Sequence, residues 1–263
     1  MKVMTYNILE GANIRFGDRT EMVLDVIEQA GADIVGLCEC TGFGEEHGAR
    51  FKYFRQRLKM DGVMNKAPSG HHVALLYRRG LRTFSRTTLA NTMYNGFARI
   101  AFESVELGPV TVVMTHMHPF SSWYRVTEVQ QVLGRARSSD EAIIMGDLNN
   151  LAPTDVPLDL AAAAPQLVGR LSGPDGEIDT LPIQAMLTQG FVDLGASTVG
   201  PTYPTTIERK QNEYGITVRL DYILATPGLA TRCRSIRAVD EPPAHDASDH
   251  LPVVAEFDLT PVG

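Results

Sequence analysis

The sequence predicts an α/β protein built on mixed β-sheets, and three observations support this class. Apolar strands alternate with amphipathic helices along the chain, residues 98–105 and 109–117 read as a β-hairpin, and 44% of the 263 residues are hydrophobic. Alternation alone favours a parallel sheet, but hairpins add antiparallel pairs, so the sheet is expected to be mixed. The length and hydrophobic content suit one domain over residues 1–263 with a substantial core.

The first 80 residues predict three strands and two helices. Residues 19–30 carry apolar side chains at helical spacing, and Gly31 ends that helix. Residues 50–60 form a basic helix candidate. The predicted strands are 3–9, 32–39 and 72–79.

The rest of the chain continues the same mixture. Beyond the hairpin, residues 123–137 place apolar side chains on one helical face, and a second helix is predicted over 178–189. Residues 150–176 are rich in Ala, Pro, Asp and Gly and predict a loop with short helices. The remaining predicted strands are 142–147, 218–225 and 251–259, the last two flanking a loop that contains Ser-Asp-His.

Charge and cysteine content restrict the class of protein. The net charge of −7 argues mildly against a protein that grips long stretches of duplex DNA, but it allows an enzyme that touches one phosphate at a time. Three cysteines provide neither a disulfide framework nor zinc-ligand spacing. The N-terminal stretch is no signal peptide and no apolar run is long enough to cross a bilayer, so we expect a cytoplasmic protein. We expect no stable membrane association and see no sign of an obligate protein partner.

Polar side chains occur at the ends of several predicted strands. Asp147 and Asn149 follow an apolar strand and are two residues apart, so they point the same way if the extended pairing continues. An isolated acid after a strand is commonly a turn residue. Six strands or strand-flanking loops with such residues instead predict one polar cleft, formed by Asn7, Glu39, His116, Asp147 with Asn149, Asp221, and Asp249 with His250.

These residue types suit the hydrolysis of a phosphate ester. Glu39 and Asp249 supply hard oxygen donors appropriate for Mg²⁺, with Mn²⁺ as a substitute. An imidazole beside a carboxylate can donate to a phosphate oxygen or to a leaving group. His116 and His118 also form an H-x-H pair, but the sequence shows no third soft ligand for zinc.

Six motifs in order resemble the endonuclease/exonuclease/phosphatase family, which includes DNase I-like enzymes. They are TYNI (5–8), CE (38–39), TH (115–116), GDLN (146–149), RLDYIL (219–224) and SDHLPV (248–253). The resemblance spans residues 3 to about 258. It implies a four-layer α/β sandwich, with two packed mixed sheets flanked by helices and an active site at one edge.

The resemblance also implies roles for the polar residues. Glu39 is implied as the principal metal ligand, with Asp249 as a second acidic contact to the metal or its water. Asp147 is implied to activate the attacking water, and Asn149 and Asn7 to hydrogen-bond water, phosphate and the metal shell. The histidines and their neighbour complete the set: His250 contacts the scissile phosphate, Asp221 orients His250, and His116 is a general acid.

Three further residues are candidates for substrate binding. Arg99 resembles a family arginine near the phosphate, and Trp123 and Tyr124 could stack on a base or simply pack a helix start. Two points depart from a simple family pattern. Cys38 stands where many members have Gln, and Asp221 could instead pair with Arg219.

The sequence therefore predicts a Mg²⁺-dependent phosphoesterase that cleaves phosphodiester bonds by in-line water attack. Its substrate would be nucleic acid, a nucleotide or a small metabolite. The alternative is a phosphatase acting on a small phosphorylated metabolite, and a non-catalytic scaffold of the same fold ranks last.

Overall fold

Twelve β-strands occur in the part of the chain that the computed structural model describes, residues 1–89, 92–156, 158–207 and 210–262. The strands, in chain order, are β1 (Lys2–Asn7), β2 (Ile34–Cys38), β3 (Met60–Asn65), β4 (Val73–Arg78), β5 (Thr83–Leu89), β6 (Phe97–Ser104), β7 (Gly108–His116), β8 (Glu141–Asp147), β9 (Val192–Asp193), β10 (Asp221–Ala225), β11 (Cys233–Ala238) and β12 (Val253–Phe257).

Eight α-helices connect the strands in the same described ranges. The helices are α1 (Thr20–Ala30), α2 (Ala49–Arg57), α3 (Ser122–Ala136), α4 (Pro165–Leu171), α5 (Leu181–Thr188), α6 (Lys210–Tyr214), α7 (Pro227–Ala230) and α8 (Ala244–Ala247). Across these described parts, every helix is too short or too polar to traverse a bilayer.

The strands form two mixed six-stranded sheets that pack face to face. One sheet has the order β11-β12-β1-β2-β4-β3 and the other the order β5-β6-β7-β8-β10-β9. Side chains alternate between faces: in β1, Val3 enters the core between the sheets, while Met4 packs outward beside helix α1. Helices α3 and α5 cover the outer face of the second sheet. The predicted four-layer α/β sandwich is thereby confirmed.

The topology brings the polar strand ends to one edge. Each sheet has one parallel pair at its centre, β1 with β2 and β7 with β8, so these four strands end on the same side of their sheets. Strands β10 and β12 run antiparallel to their neighbours, so they begin where the parallel strands end. The register places Asp221 directly opposite Asp147 and His116 beside Asp147.

The structure corrects several predicted element boundaries. Helix α2 ends at Arg57 rather than at Met60, which instead starts strand β3. The four strands that the sequence analysis missed are β3, β5, β9 and β11, and each lies at the edge of a sheet. Edge strands are half exposed and carry polar side chains, so their hydrophobic signal is weak.

Gly146 marks the place where strand β8 approaches β7 beside the polar edge. Its φ of 148° is unusual for a residue with a side chain, and a Cβ there would lie 1.8 Å from the Thr115 carbonyl oxygen. We therefore expect Gly146→Ala to lower the free energy of unfolding by about 1–3 kcal/mol, because the backbone of a central strand must move. Chemical denaturation measures this difference.

Gly134→Ala is the matched control for that substitution. Gly134 lies inside helix α3, and no atom lies within 4 Å of a Cβ built there. Alanine should stabilise the helix by about 0.5–1 kcal/mol because it restricts the unfolded chain. Equal effects of the two substitutions would contradict the strand-contact explanation.

Candidate active site

A polar cavity of about 190 Å³ lies at the edge where the strand ends meet. Most of the acidic and imidazole side chains predicted from the sequence line it. The lining residues include Glu39, His116, Asp147, Asp249 and His250, together with Leu9, Glu10, Arg15, His71, Tyr94, Asn95, Pro119, Phe120, Arg170, Tyr203 and Tyr214. Residues from position 9 to position 250 thus share one site.

Glu39 follows strand β2 in a left-handed conformation, with φ 57°. Its carbonyl oxygen accepts hydrogen bonds from the backbone N–H groups of Gly11 and Thr41, both at 2.7 Å, which hold this unusual geometry. Burial alone would raise the pKa of Glu39, but the imidazoles of His116 and His71 outweigh it and lower the pKa to about 2. The cavity therefore contains a fixed, ionised carboxylate.

Asn7 joins the two sheets beneath this carboxylate. Its Nδ2 donates to Glu39 Oε1 at 3.1 Å and to Asp147 Oδ2 at 3.0 Å, and its Oδ1 accepts the Leu9 N–H. The residue is fully buried. All of its amide atoms are thus engaged by protein groups, which makes it a clamp for two carboxylates rather than a substrate contact.

Asp147 is the buried carboxylate at the end of strand β8. Besides Asn7, it accepts the Asn149 backbone N–H at 2.9 Å, and its Oδ2 lies 3.5 Å from His116 Nε2 and 3.7 Å from His250 Nε2. Burial raises the pKa of Asp147, against the lowering effect of the two imidazoles. A carboxylate with a raised pKa is a stronger base than an exposed one.

His250 contacts Asp221 directly. Its Nδ1 hydrogen-bonds Asp221 Oδ2 at 2.8 Å, and the Thr202 hydroxyl donates to the same oxygen at 2.7 Å. Burial alone would lower the pKa of His250, but Asp221 and Asp147 outweigh it and raise the pKa to about 9. The second nitrogen, Nε2, is left on the cavity side.

His116 differs from His250 in its surroundings. Burial lowers the pKa of His116, against the raising effect of Asp147 and Glu39. Its Nδ1 is buried and has no hydrogen-bond partner among the described residues. The site therefore combines one imidazole that favours the neutral form with one that favours the cation.

Comparison with known proteins identifies the family. Residues 4–250 match the model of the Endonuclease/Exonuclease/phosphatase family. The chain belongs to that family. No curated protein matches its sequence.

Solved structures of the family share the fold. An AP endonuclease from Archaeoglobus fulgidus has a TM-score of 0.70 at 20% identity, covering 98% of this chain and 99% of that one. The 3'-5' exonuclease NExo from Neisseria meningitidis has a TM-score of 0.67 at 18% identity, covering 98% and 100%. Truncated Caenorhabditis elegans TDP2 has a TM-score of 0.61 at 17% identity, covering 97% and 96%. Similarities at this level of identity show the common architecture.

Arg170 is a residue of this family member's site that the sequence analysis missed. From helix α4 it donates through Nε to the Pro119 carbonyl at 3.2 Å and through Nη2 to Asn149 Oδ1 at 2.9 Å. Its guanidinium also lies 5.7 Å from the centre of the Tyr203 ring. The sequence around Arg170 predicts a loop with short helices, and Arg170 is 21 residues away from Asn149 along the chain. No local sequence pattern therefore indicated that Arg170 belongs to the site.

Asn149 contacts protein groups through both atoms of its side-chain amide. Its Nδ2 donates to the Met117 carbonyl at 3.0 Å, while Arg170 occupies its Oδ1. The amide is buried and engaged at both ends. These two contacts tie the loop after strand β8 to Met117 and to Arg170.

Two predicted substrate contacts lie away from this cavity. Arg99, the third residue of strand β6, hydrogen-bonds Ser85, Thr111 and Ser138. These contacts hold its guanidinium away from the residues that line the cavity, so the structure does not bring Arg99 to the site as the resemblance implied. Trp123 is 70% exposed and lines a separate cavity with Asp179.

Tyr124 and His118 lie next to the catalytic cavity. Their rings stack at 4.9 Å with an angle of 13°. His118 Nδ1 accepts the backbone N–H groups of Phe120 and Ser121, both at 3.1 Å, so this nitrogen is used by its own loop. The alternative pairing of Asp221 with Arg219 is also resolved: Arg219 binds Asp155 at 3.0 Å and Asp193 at 2.7 Å.

The donor set of this cavity fits a hard divalent cation. Among the described residues, no group of three His, Cys, Asp or Glu side chains is arranged to hold a metal ion by itself, as a closed zinc site would be. Mg²⁺ keeps several waters and takes one or two carboxylates together with substrate phosphate oxygens. Glu39, with its lowered pKa, and Asp249 meet that requirement.

Proposed function

We propose that this protein is a Mg²⁺-dependent phosphodiesterase that works by in-line attack of water on phosphorus, with Mn²⁺ as a possible substitute. The observation that carries the proposal is the position of Asp147. It lies within 4 Å of the imidazoles of His116 and His250, and Asn7 links it to the ionised Glu39 by donating a hydrogen bond to each carboxylate. Together these groups provide a base, hydrogen-bond donors and a cation ligand in one small cavity.

Asp147 is the group that takes a proton from the attacking water. Its Oδ1 is held by the Asn149 N–H and its Oδ2 by Asn7, so the carboxylate cannot rotate away. Burial raises its pKa, which strengthens it as a base. Because Oδ2 also faces both imidazoles, a water bound there lies beside the groups that contact the phosphate.

His250 and Arg170 act on the charge of the phosphate. Asp221 holds the Nδ1 side of His250, so Nε2 is the nitrogen that can donate to a phosphate oxygen. The guanidinium of Arg170 lines the same cavity and adds a positive charge. Donors fixed before the reaction stabilise charge that develops in the transition state.

Glu39 and Asp249 would hold the metal ion, which when bound supplies Lewis-acid stabilisation of the phosphate oxygens. Asn7 keeps Glu39 and Asp147 at a fixed separation. His116 lies beside Asp147, and because burial lowers its pKa it would act on the leaving oxygen as a neutral hydrogen-bond donor rather than as the general acid that the resemblance implied.

The cavity size supports a substrate that reaches the site through one phosphate. At about 190 Å³ it is smaller than the 300–1,000 Å³ that usually encloses a whole ligand, so it would take the phosphate group with its immediate neighbours. The rest of the substrate then lies on the rim. Two of the similar structures are an AP endonuclease and a 3'-5' exonuclease, which is consistent with a nucleic-acid or nucleotide diester as the substrate.

A panel of phosphoesters with Mg²⁺ tests the function. Dinucleotides and oligonucleotides, small phosphomonoesters and a carboxylic ester are assayed at equal concentration. We expect hydrolysis of the diesters. A preference for monoesters would instead favour a phosphatase acting on a small metabolite. If no phosphoester is hydrolysed, the proposal is refuted and a non-catalytic binding scaffold remains as the interpretation.

Replacing Arg170 tests its contact with the phosphate. Arg170→Ala should lower kcat/KM by about 10- to 100-fold, because a charge-assisted hydrogen bond contributes about 1.5–3 kcal/mol. Added guanidinium ion should restore part of the rate by occupying the vacated space. Steady-state kinetics with and without guanidinium measures both effects.

Arg135→Ala is the matched control, since Arg135 is exposed on helix α3 outside the cavity. It should leave kcat/KM unchanged and show no response to guanidinium. A loss in Arg170→Ala that guanidinium does not relieve, accompanied by a lower melting temperature, would instead assign Arg170 a purely structural role.

A further inference from the structure

A group of aromatic side chains borders the catalytic cavity on one side. This aromatic rim consists of Tyr94, His118, Phe120 and Tyr124. The outer three are well exposed, at 39% for Tyr94, 67% for Phe120 and 63% for Tyr124. Tyr94 and Phe120 also line the catalytic cavity, so the rim is continuous with the site of chemistry.

The rings of the rim surround His118, and one of them stacks on it. Tyr94 lies 4.5 Å from His118 at 52°, Tyr124 lies 4.9 Å away at 13°, and Phe120 lies 6.1 Å away at 82°. Burial and the nearby Arg125 lower the pKa of His118, which favours the uncharged ring. The rim is therefore a cluster of rings around His118 in which Tyr124 is stacked, Tyr94 is tilted and Phe120 is edge-on.

A buried carboxylate builds this arrangement. Glu128, on helix α3, is 2% exposed, and its Oε1 accepts the Tyr94 N–H at 2.8 Å while its Oε2 accepts the His118 N–H at 2.7 Å. Arg125, also fully buried, donates to the His118 carbonyl at 3.1 Å. Glu128 and Arg125 thus fix the loops that carry the rings through backbone hydrogen bonds. The aromatic side chains are not used for this purpose and can contact a ligand.

The lining of the adjoining cavity indicates what the rim binds. That cavity, about 410 Å³, contains Tyr94, His118 and Tyr124, with Thr92, Met93, Thr127 and Glu128. None of these described lining residues is Lys or Arg. Duplex nucleic acid is gripped through its phosphates and hides its base faces, whereas an unpaired base offers a π-face for stacking.

We infer that the aromatic rim binds an unpaired nucleobase next to the scissile phosphate, so that the enzyme selects single-stranded or nucleotide-type diesters. The inference rests on the proposed function for the position of the phosphate. It adds the recognition of the neighbouring base, which the catalytic residues do not contact. Tyr124 and Tyr94 are the residues that determine this specificity.

Two dinucleotide substrates test the inference. One is thymidylyl-thymidine. The other is an analogue in which one of the two nucleosides is replaced by a deoxyribose without a base, and two such analogues are prepared, one for each side of the diester. The parent should hydrolyse the complete dinucleotide about 5- to 100-fold faster in kcat/KM than one of the analogues, the range expected for one stacked base. Annealing a longer oligonucleotide to its complement should slow its cleavage.

Tyr124→Leu and Tyr94→Leu remove the π-face and keep an apolar side chain. Either variant should lose the preference for the base, because kcat/KM for the complete dinucleotide should fall by more than kcat/KM for the analogue. Phe84→Leu is the matched control, since Phe84 is 61% exposed on strand β5 outside the rim, and it should retain the preference. Equal hydrolysis of both substrates by the parent, or an equal loss on both in the tyrosine variants, would overturn the inference.

A binding measurement separates this inference from the proposed function. If the parent hydrolyses no diester, the proposed function fails. Titration calorimetry of the Mg²⁺-loaded protein then compares thymidine 5′-monophosphate with deoxyribose 5-phosphate. Tighter binding of the nucleotide, lost in Tyr124→Leu, would support the rim as a base site, and equal binding would refute it.

Discussion

Asp147→Asn is expected to lower kcat by about 10³-fold or more, within the range for removal of a general base. The amide retains the size of the carboxylate but cannot accept a proton from water. The carboxylate it replaces is fixed by Asn7 and by the Asn149 N–H, and no other described carboxylate lies between the two imidazoles. Single-turnover hydrolysis of a dinucleotide measures the chemical step.

Asp140→Asn provides the matched control at the opposite end of the same strand. Asp140 is exposed and directly precedes strand β8, whereas Asp147 ends it. The control should retain the parental rate, and both variants should give the parental circular dichroism spectrum. A folded Asp147→Asn protein with undiminished kcat would show that another group activates the water.

Removal of His250 is the second change with a large expected effect. His250→Ala should lower kcat by about 10²–10⁴-fold, because the phosphate loses a fixed donor in a buried site. Asp221→Asn should cause a smaller loss, since the imidazole remains but loses its 2.8 Å hydrogen bond and the charge that raises its pKa.

The double variant shows whether Asp221 acts through His250. If Asp221 only orients and polarises the imidazole, replacing it in the His250→Ala background should cost almost nothing further. Groups that act as one unit give such non-additive losses. Additive losses in the three variants would mean that Asp221 contributes independently, for example through its contact with Thr202.

Local patterns explain why the central strands were predicted and why most of the candidate site residues come together in one cavity. Strands β1, β2, β7 and β8 are buried, so their apolar runs are clear and the polar residues at their ends stand out. The edge strands β3, β5, β9 and β11 lack that signal. Each of them pairs with a single neighbouring strand and contains polar residues, so no continuous apolar run marks it.

The site residues that were missed or misassigned depend on tertiary contacts. Arg170 enters the cavity because the buried Arg125 holds its carbonyl at 3.0 Å and because Asn149 accepts its guanidinium. Arg99 has the residue type expected for phosphate binding, but its hydrogen bonds to Ser85 and Ser138 hold it away from the cavity. Residue type and order along the chain could not distinguish these two arginines.

The dependence of hydrolysis on Mg²⁺ tests the central claim most directly. Protein stripped with EDTA is titrated with Mg²⁺ while dinucleotide hydrolysis is followed, for the parent, for Glu39→Gln and for Glu45→Gln, an exposed control outside the catalytic cavity. The account predicts that the stripped parent and Glu45→Gln are inactive and recover along the same saturable curve, while Glu39→Gln needs far more Mg²⁺ or does not recover. Full activity of the stripped parent, or recovery of Glu39→Gln along the parental curve, would contradict it.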